Sequence, residues 1–177
     1  MLRALEDGFV FEHQWHRGQW DEGSVARYYS NLRRQELPRG IYIVATGGHY
    51  DTSALLTLRD DEPGAERVAE VLAQARRREV ACFGCFISLM EVLYRVWKDE
   101  GEHAGRLAYE RCLALPIEWV HETRELLEAA AALKASHFLS LADAWIAVAA
   151  VLHAAILVHK DPEFAPVPVD QEALPYR

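Results

Sequence analysis

The chain has 177 residues, 51% of them hydrophobic, which is enough to bury one sizeable core. Three cysteines make an odd count and exclude a disulfide framework, as suits a reducing cytoplasm. The net charge is −8 and falls wholly on residues 41–177, since residues 1–40 carry six Arg against six Asp and Glu. A body so acidic repels nucleic acid unless cations or a local basic patch intervene.

No apolar run follows Met1, so a signal peptide is not expected. The longest near-apolar run, 144–158, is short for a membrane span and is broken by His153. Residues 1–40 combine Trp15, Trp20, Tyr28 and Tyr29 with many polar groups and end in the Pro38-Arg-Gly40 break. They read as an N-terminal extension that packs on the core, contacts a partner or is loosely ordered, or else as a start assigned too far upstream. The second domain is 41–177.

From Ile41 the pattern alternates strand and helix. Ile41–Ala45 is a short apolar run broken at Gly47-Gly48, which Tyr50 can resume. A helix is expected from Glu62, with Pro63 in its first turn and Val68, Val71, Leu72 and Ala75 on its apolar face. It ends on Arg76-Arg77-Arg78, favourable beside a C-terminal dipole. Val80–Phe83 reads as a strand, and Ser88-Leu-Met-Glu91 as a capping box opening a helix that Gly101 stops. A helix from about Glu102 to Ala114 leads to the strand Ile117–Val120, and Thr123 starts another. Ser140-Leu-Ala-Asp143 opens the most hydrophobic helix, followed by the strand Ala154–His159, a turn at Asp161 and an extended Pro-rich tail from Ala165. Strands separated by helices imply a mainly parallel central sheet between two helical layers.

In such a sheet, strand ends and the starts of helices that run back share one edge. Asp51, Glu91, Asp143 and Asp161 all fall there. Each alone is explicable as a cap or a partner, Glu91 for example with Arg95 at i+4. Together they are not, because carboxylates about 5 Å apart repel by roughly 1–3 kcal/mol per pair at an effective dielectric of about 20. A divalent cation relieves that repulsion, and oxygen ligands favour Mg²⁺ or Mn²⁺ over zinc.

Five segments then carry a resemblance: Asp-Thr-Ser-Ala-Leu-Leu (51–56), Glu-Pro-Gly-Ala-Glu-Arg-Val (62–68), Glu-Val-Leu-Tyr-Arg (91–95), Leu-Ser-Leu-Ala-Asp-Ala (139–144) and Asp-Pro-Glu-Phe (161–164). In this order and spacing the chain resembles PIN-domain ribonucleases of the VapC toxin type over about two thirds of its length. The resemblance implies a PIN-like three-layer α/β/α fold and a metal-dependent endoribonuclease, with Asp51, Glu91, Asp143 and Asp161 as the acidic quartet. Thr52 and Ser53 would support the metal, and one or two Mg²⁺ ions would bind the scissile phosphate and activate water. It also implies an RNA substrate, a cognate antitoxin that blocks the site, and a homodimer. Arg76, Arg77 and Arg78, with Arg106 and Arg111, are candidates to steer RNA.

The chain departs from the family at His159, where Thr or Ser is usual, and at Gly47-Gly48. These departures favour a second reading, a degenerate PIN domain that binds RNA or a partner protein without cutting. Other signals are weak. Cys82-Phe-Gly-Cys85 has zinc spacing and His13 and His16 could complete a site, but no second such pair exists. Trp119 and Trp145 read as core or interface residues, and Ser53 stands where an aspartyl-nucleophile phosphatase would need Asp.

Overall fold

The computed structural model describes residues 41–44 and 54–175. Residues 1–40, Gly47-Gly48, Tyr50 and the site residues Asp51, Thr52 and Ser53 lie outside the described residues. The elements run β1 (Ile41–Val44), α1 (Ala54–Arg59), α2 (Ala65–Arg76), β2 (Ala81–Cys85), α3 (Phe86–Glu100), α4 (Glu102–Leu113), β3 (Glu118–Val120), α5 (Arg124–Ser136), α6 (Leu141–Leu152), β4 (Ile156–His159), a 3-10 turn (Pro162–Phe164) and β5 (Gln171–Ala173). The strand order is β3-β2-β1-β4-β5, and every neighbouring pair is parallel.

The sheet divides two cores, as the pleat requires of consecutive side chains. Leu157 packs with Leu126, Leu133, Ile146 and Phe164 under α5 and α6. Val158, the next residue, packs with Val68, Val71, Val92 and Ala108 under α1 to α4. The α/β/α layering expected from the alternating pattern is therefore present.

Local chemistry explains most boundaries. Thr123 caps α5 by accepting the Leu126 N–H at 3.1 Å. Gly101 ends α3 at φ 97 and admits the turn into α4. Two starts differ from expectation. Gly64, at φ 101, is the N-cap of α2, so the helix begins at Ala65 and Pro63 precedes it. The helix α3 begins at Phe86, not Ser88, because Cys85 closes β2 and serves at once as an extended N-cap (φ −76, ψ 139). Ser88 is instead buried inside the first turn, and Glu91 lies in the second.

The tail is not merely extended. Gln171–Ala173 pairs with β4, with Leu157 opposite Gln171 and His159 opposite Ala173. Nothing in Gln-Glu-Ala favours a strand locally. The pairing is held from outside by Arg67 of α2, whose Nε and Nη2 donate to Glu172 at 2.7 and 3.1 Å.

Gly84 shows how closely β2 and β3 are fitted. A Cβ there would lie 2.5 Å from Cζ3 of Trp119 and 3.0 Å from Cγ2 of Ile117. Gly84→Ala should therefore cost about 1–3 kcal/mol through overpacking. Urea unfolding reads the loss, and Gly84→Ala/Trp119→Leu should recover part of it. Trp119 and Trp145 are packing residues, the latter edge-on to Phe86 at 5.2 Å.

Candidate metal centre

Ser140, extended at φ −65 and ψ 165, caps α6, and the Ser-Leu-Ala-Asp sequence closes a capping box. Ser140 Oγ accepts the Asp143 N–H at 3.0 Å, and Asp143 Oδ2 accepts the Ser140 N–H at 3.3 Å. Asp143 is fully buried, and its second oxygen, Oδ1, has no hydrogen-bond partner among the described residues. Burial pushes its carboxyl above the usual range, hydrogen bonds from Ser140 pull it back, and the charges of Asp161 and Glu163 push it further up.

Asp161 follows β4 and caps the 3-10 turn, its Oδ1 accepting the Glu163 N–H at 2.8 Å. Carboxylate oxygens of Asp143, Asp161 and Glu163 all lie within 4.8 Å of one another. Glu163 was not foreseen as a site residue. The signal that could have found it is Pro162, which forces a tight turn and brings the second residue after Asp161 back beside it.

The turn carrying Asp161 is braced on both sides. His159 is buried, with Nε2 3.0 Å from Gln171 Oε1 and its ring 4.9 Å from Phe164. Burial lowers its pKa, which the Gln171 bond partly offsets. The residue that departs from the family is thus tied to β5. Lys160 Nζ donates to Glu62 at 2.9 Å, with a lysine side chain only 2% exposed.

Glu91 is half-buried in α3 and stands outside the group of three. Burial pushes the Cys85 thiol up to about 11, and the charge of Glu91 adds to that shift. Arg76–Arg78 lie elsewhere. They directly precede β2 and so occupy the amino edge, opposite the acids, where Arg77 is clamped by Glu79 at 2.7 and 3.0 Å. Arg106 is likewise paired with Glu102 and stacked 5.4 Å over Trp97. Cys82 and Cys85 are buried free thiols and join no candidate metal group among the described residues.

The donors fit a divalent cation. They are all carboxylate oxygens, hard ligands suited to Mg²⁺ or Mn²⁺. A buried Oδ1 with no donor among the described residues is an acceptor that a cation would satisfy.

The PIN domain profile matches residues 50–169, a span that contains all four expected acids and Glu163. The chain belongs to the PIN domain family. Its fold is that of two solved structures. One is VapBC2 from Rickettsia felis bound to a DNA fragment from its promoter, at TM-score 0.59 and 17% identity over 76% of this chain and 99% of the other. The second is a toxin-antitoxin complex from Klebsiella pneumoniae, at TM-score 0.51 and 22% identity over 68% and 91%. No curated protein sequence matches this PIN domain.

Proposed function

We propose that this PIN domain is a Mg²⁺- or Mn²⁺-dependent endoribonuclease, the toxin of a type II toxin–antitoxin pair acting in the cytoplasm. The observation that carries the reading is the burial of Asp143, one oxygen of which has no partner among the described residues, in a carboxylate group that includes Asp161 and Glu163. A fold that needed only caps would gain nothing by gathering these charges. The cation would supply activation of water and neutralisation of phosphate charge. Asp143, Asp161 and Glu163 would hold it, with Glu91 of α3 and Asp51 completing the set. Ser140 fixes the Asp143 rotamer, and the Lys160–Glu62 and His159–Gln171 bonds fix the height of the Asp161 turn. A cognate antitoxin covering this edge, and a homodimer, complete the proposal. The assemblies in which the two fold neighbours were solved support the first. Among the described residues no helix is long and apolar enough to cross a membrane.

The test is the sign of two stability changes. Mn²⁺ at ten to a hundred times Kd should stabilise wild type by roughly 1.4–2.7 kcal/mol. Asp143→Asn should abolish most of that response. In EDTA the same variant should be the more stable protein at neutral pH. The folded carboxyl of Asp143 holds its proton more tightly than the unfolded chain does, so its contribution is present at low pH and lost as pH rises through the raised folded value. Asn removes that loss. Its melting temperature relative to wild type should therefore rise as pH climbs out of the ordinary carboxylate range toward neutrality. A wild-type melting curve that ignores Mn²⁺ would count against the site.

A further inference from the structure

Phe138 is 96% exposed, although it lies in the segment that feeds the site. Its neighbour explains the geometry. The chain between α5 and α6 is extended, so Leu139 points inward and is 4% exposed while Phe138 points out. Leu141, the first residue of α6, is 70% exposed. Both flank Ser140, whose backbone N–H bonds directly to Asp143. Two residues of chain span at most about 7 Å, so the Phe138 backbone is within that distance of a residue touching the metal-site acid. Lys134 lies in the last turn of α5, four residues before Phe138.

From this juxtaposition we infer that Phe138, with Leu141 beside it, is a stacking platform for a base of single-stranded RNA next to the cleaved bond. The inference rests on the ribonuclease reading and names how its substrate is held. A domain of net charge −8 gains little from attraction to phosphates, and among the arginines named for that role Arg76–Arg78 lie at the opposite edge and Arg106 is paired with Glu102. Stacking on an aromatic face supplies affinity that needs no net positive charge and accepts any base. Two exposed side chains are by themselves too small a patch for a stable protein interface, so the antitoxin proposed for this edge would cover them only as part of a wider contact and in competition with RNA.

The test is anisotropy of a labelled single-stranded RNA, with Ca²⁺ replacing Mg²⁺ and a gel confirming intact RNA. Phe138→Ala should weaken binding by about five- to a hundredfold, in line with the loss of one stacked base. Phe138→Trp should bind as wild type does or more tightly. Mn²⁺ affinity and melting temperature should be unchanged in both, which a structural role would not allow. In Mg²⁺ turnover, Phe138→Ala should raise KM more than it lowers kcat. Equal RNA affinity of Phe138→Ala and wild type overturns the platform and leaves the ribonuclease reading standing. No RNA binding by wild type overturns both. Conversion of a dimer to a monomer by Phe138→Ala, with RNA affinity kept, makes the patch an interface between copies and overturns the platform.

Discussion

Incubated with Mg²⁺ or Mn²⁺, the purified chain is expected to cut single-stranded RNA, and EDTA is expected to stop it. The products should carry 5′ phosphate and 3′ hydroxyl ends, because water and not the 2′ hydroxyl is the nucleophile in metal-assisted hydrolysis. Asp51→Asn, Glu91→Gln and Asp143→Asn should each cost two or more orders of magnitude, at least ~2.7 kcal/mol of transition-state stabilisation. Asp161→Asn should cost less. Asn keeps an oxygen to accept the Glu163 N–H, so the turn survives and only ligand charge is lost. Glu163→Gln should cost about tenfold, ~1.4 kcal/mol, as expected of a half-buried member of the group. Each variant must melt like wild type or above it in EDTA, since a lost cap alone costs ~1 kcal/mol and could mimic a catalytic loss. Cyclic-phosphate products, or cleavage that survives both EDTA and Asp51→Asn, would sink the mechanism. Metal binding without cleavage of any RNA would instead favour a PIN domain that binds and does not cut.

Lys160→Met should be among the most destabilising single changes in the described part of the chain. The ammonium is buried and bonded to Glu62, itself 17% exposed, so removing it takes the cation away from a largely buried carboxylate. Breaking a buried pair from one side costs about 3–5 kcal/mol, a large share of a domain's typical stability. The double variant Lys160→Met/Glu62→Leu should recover most of that, because two apolar side chains leave no charge unpaired. Urea unfolding separates the cases. A single variant within about 1 kcal/mol of wild type would mean that Glu62 is solvated once the lysine is gone.

What was legible in the sequence was whatever local chemistry decides. Ser140 and Asp143, three apart before an apolar run, could be paired from spacing alone, and the box is present. Thr123 and Gly101 were equally plain. Ser88 and Glu91 have the same spacing, yet no box forms, because β2 runs straight into α3 and the chain has no loop residue to spare. The conflict is between a local motif and the length of the preceding strand, and the sheet wins. Glu163 escaped because its proximity to Asp143 is tertiary, made by the packing of β4 against α6. β5 escaped for a similar reason: its three residues have no strand character, and its partners lie on β4 and α2.

That last strand has a protective side. β4 carries His159 and leads to Asp161, and it is flanked by β1 on one side and β5 on the other. Were β5 to peel away, the outer row of N–H and C=O groups of β4 would be left open. A parallel strand of Ile-Leu-Val offered at a bare rim is a template for other chains to add to, the first step of aggregation. The Arg67–Glu172 fork and the close seat of Leu174 on Gly64 thus act as a latch against self-templating. A tag or fusion that strains this latch trades solubility for convenience.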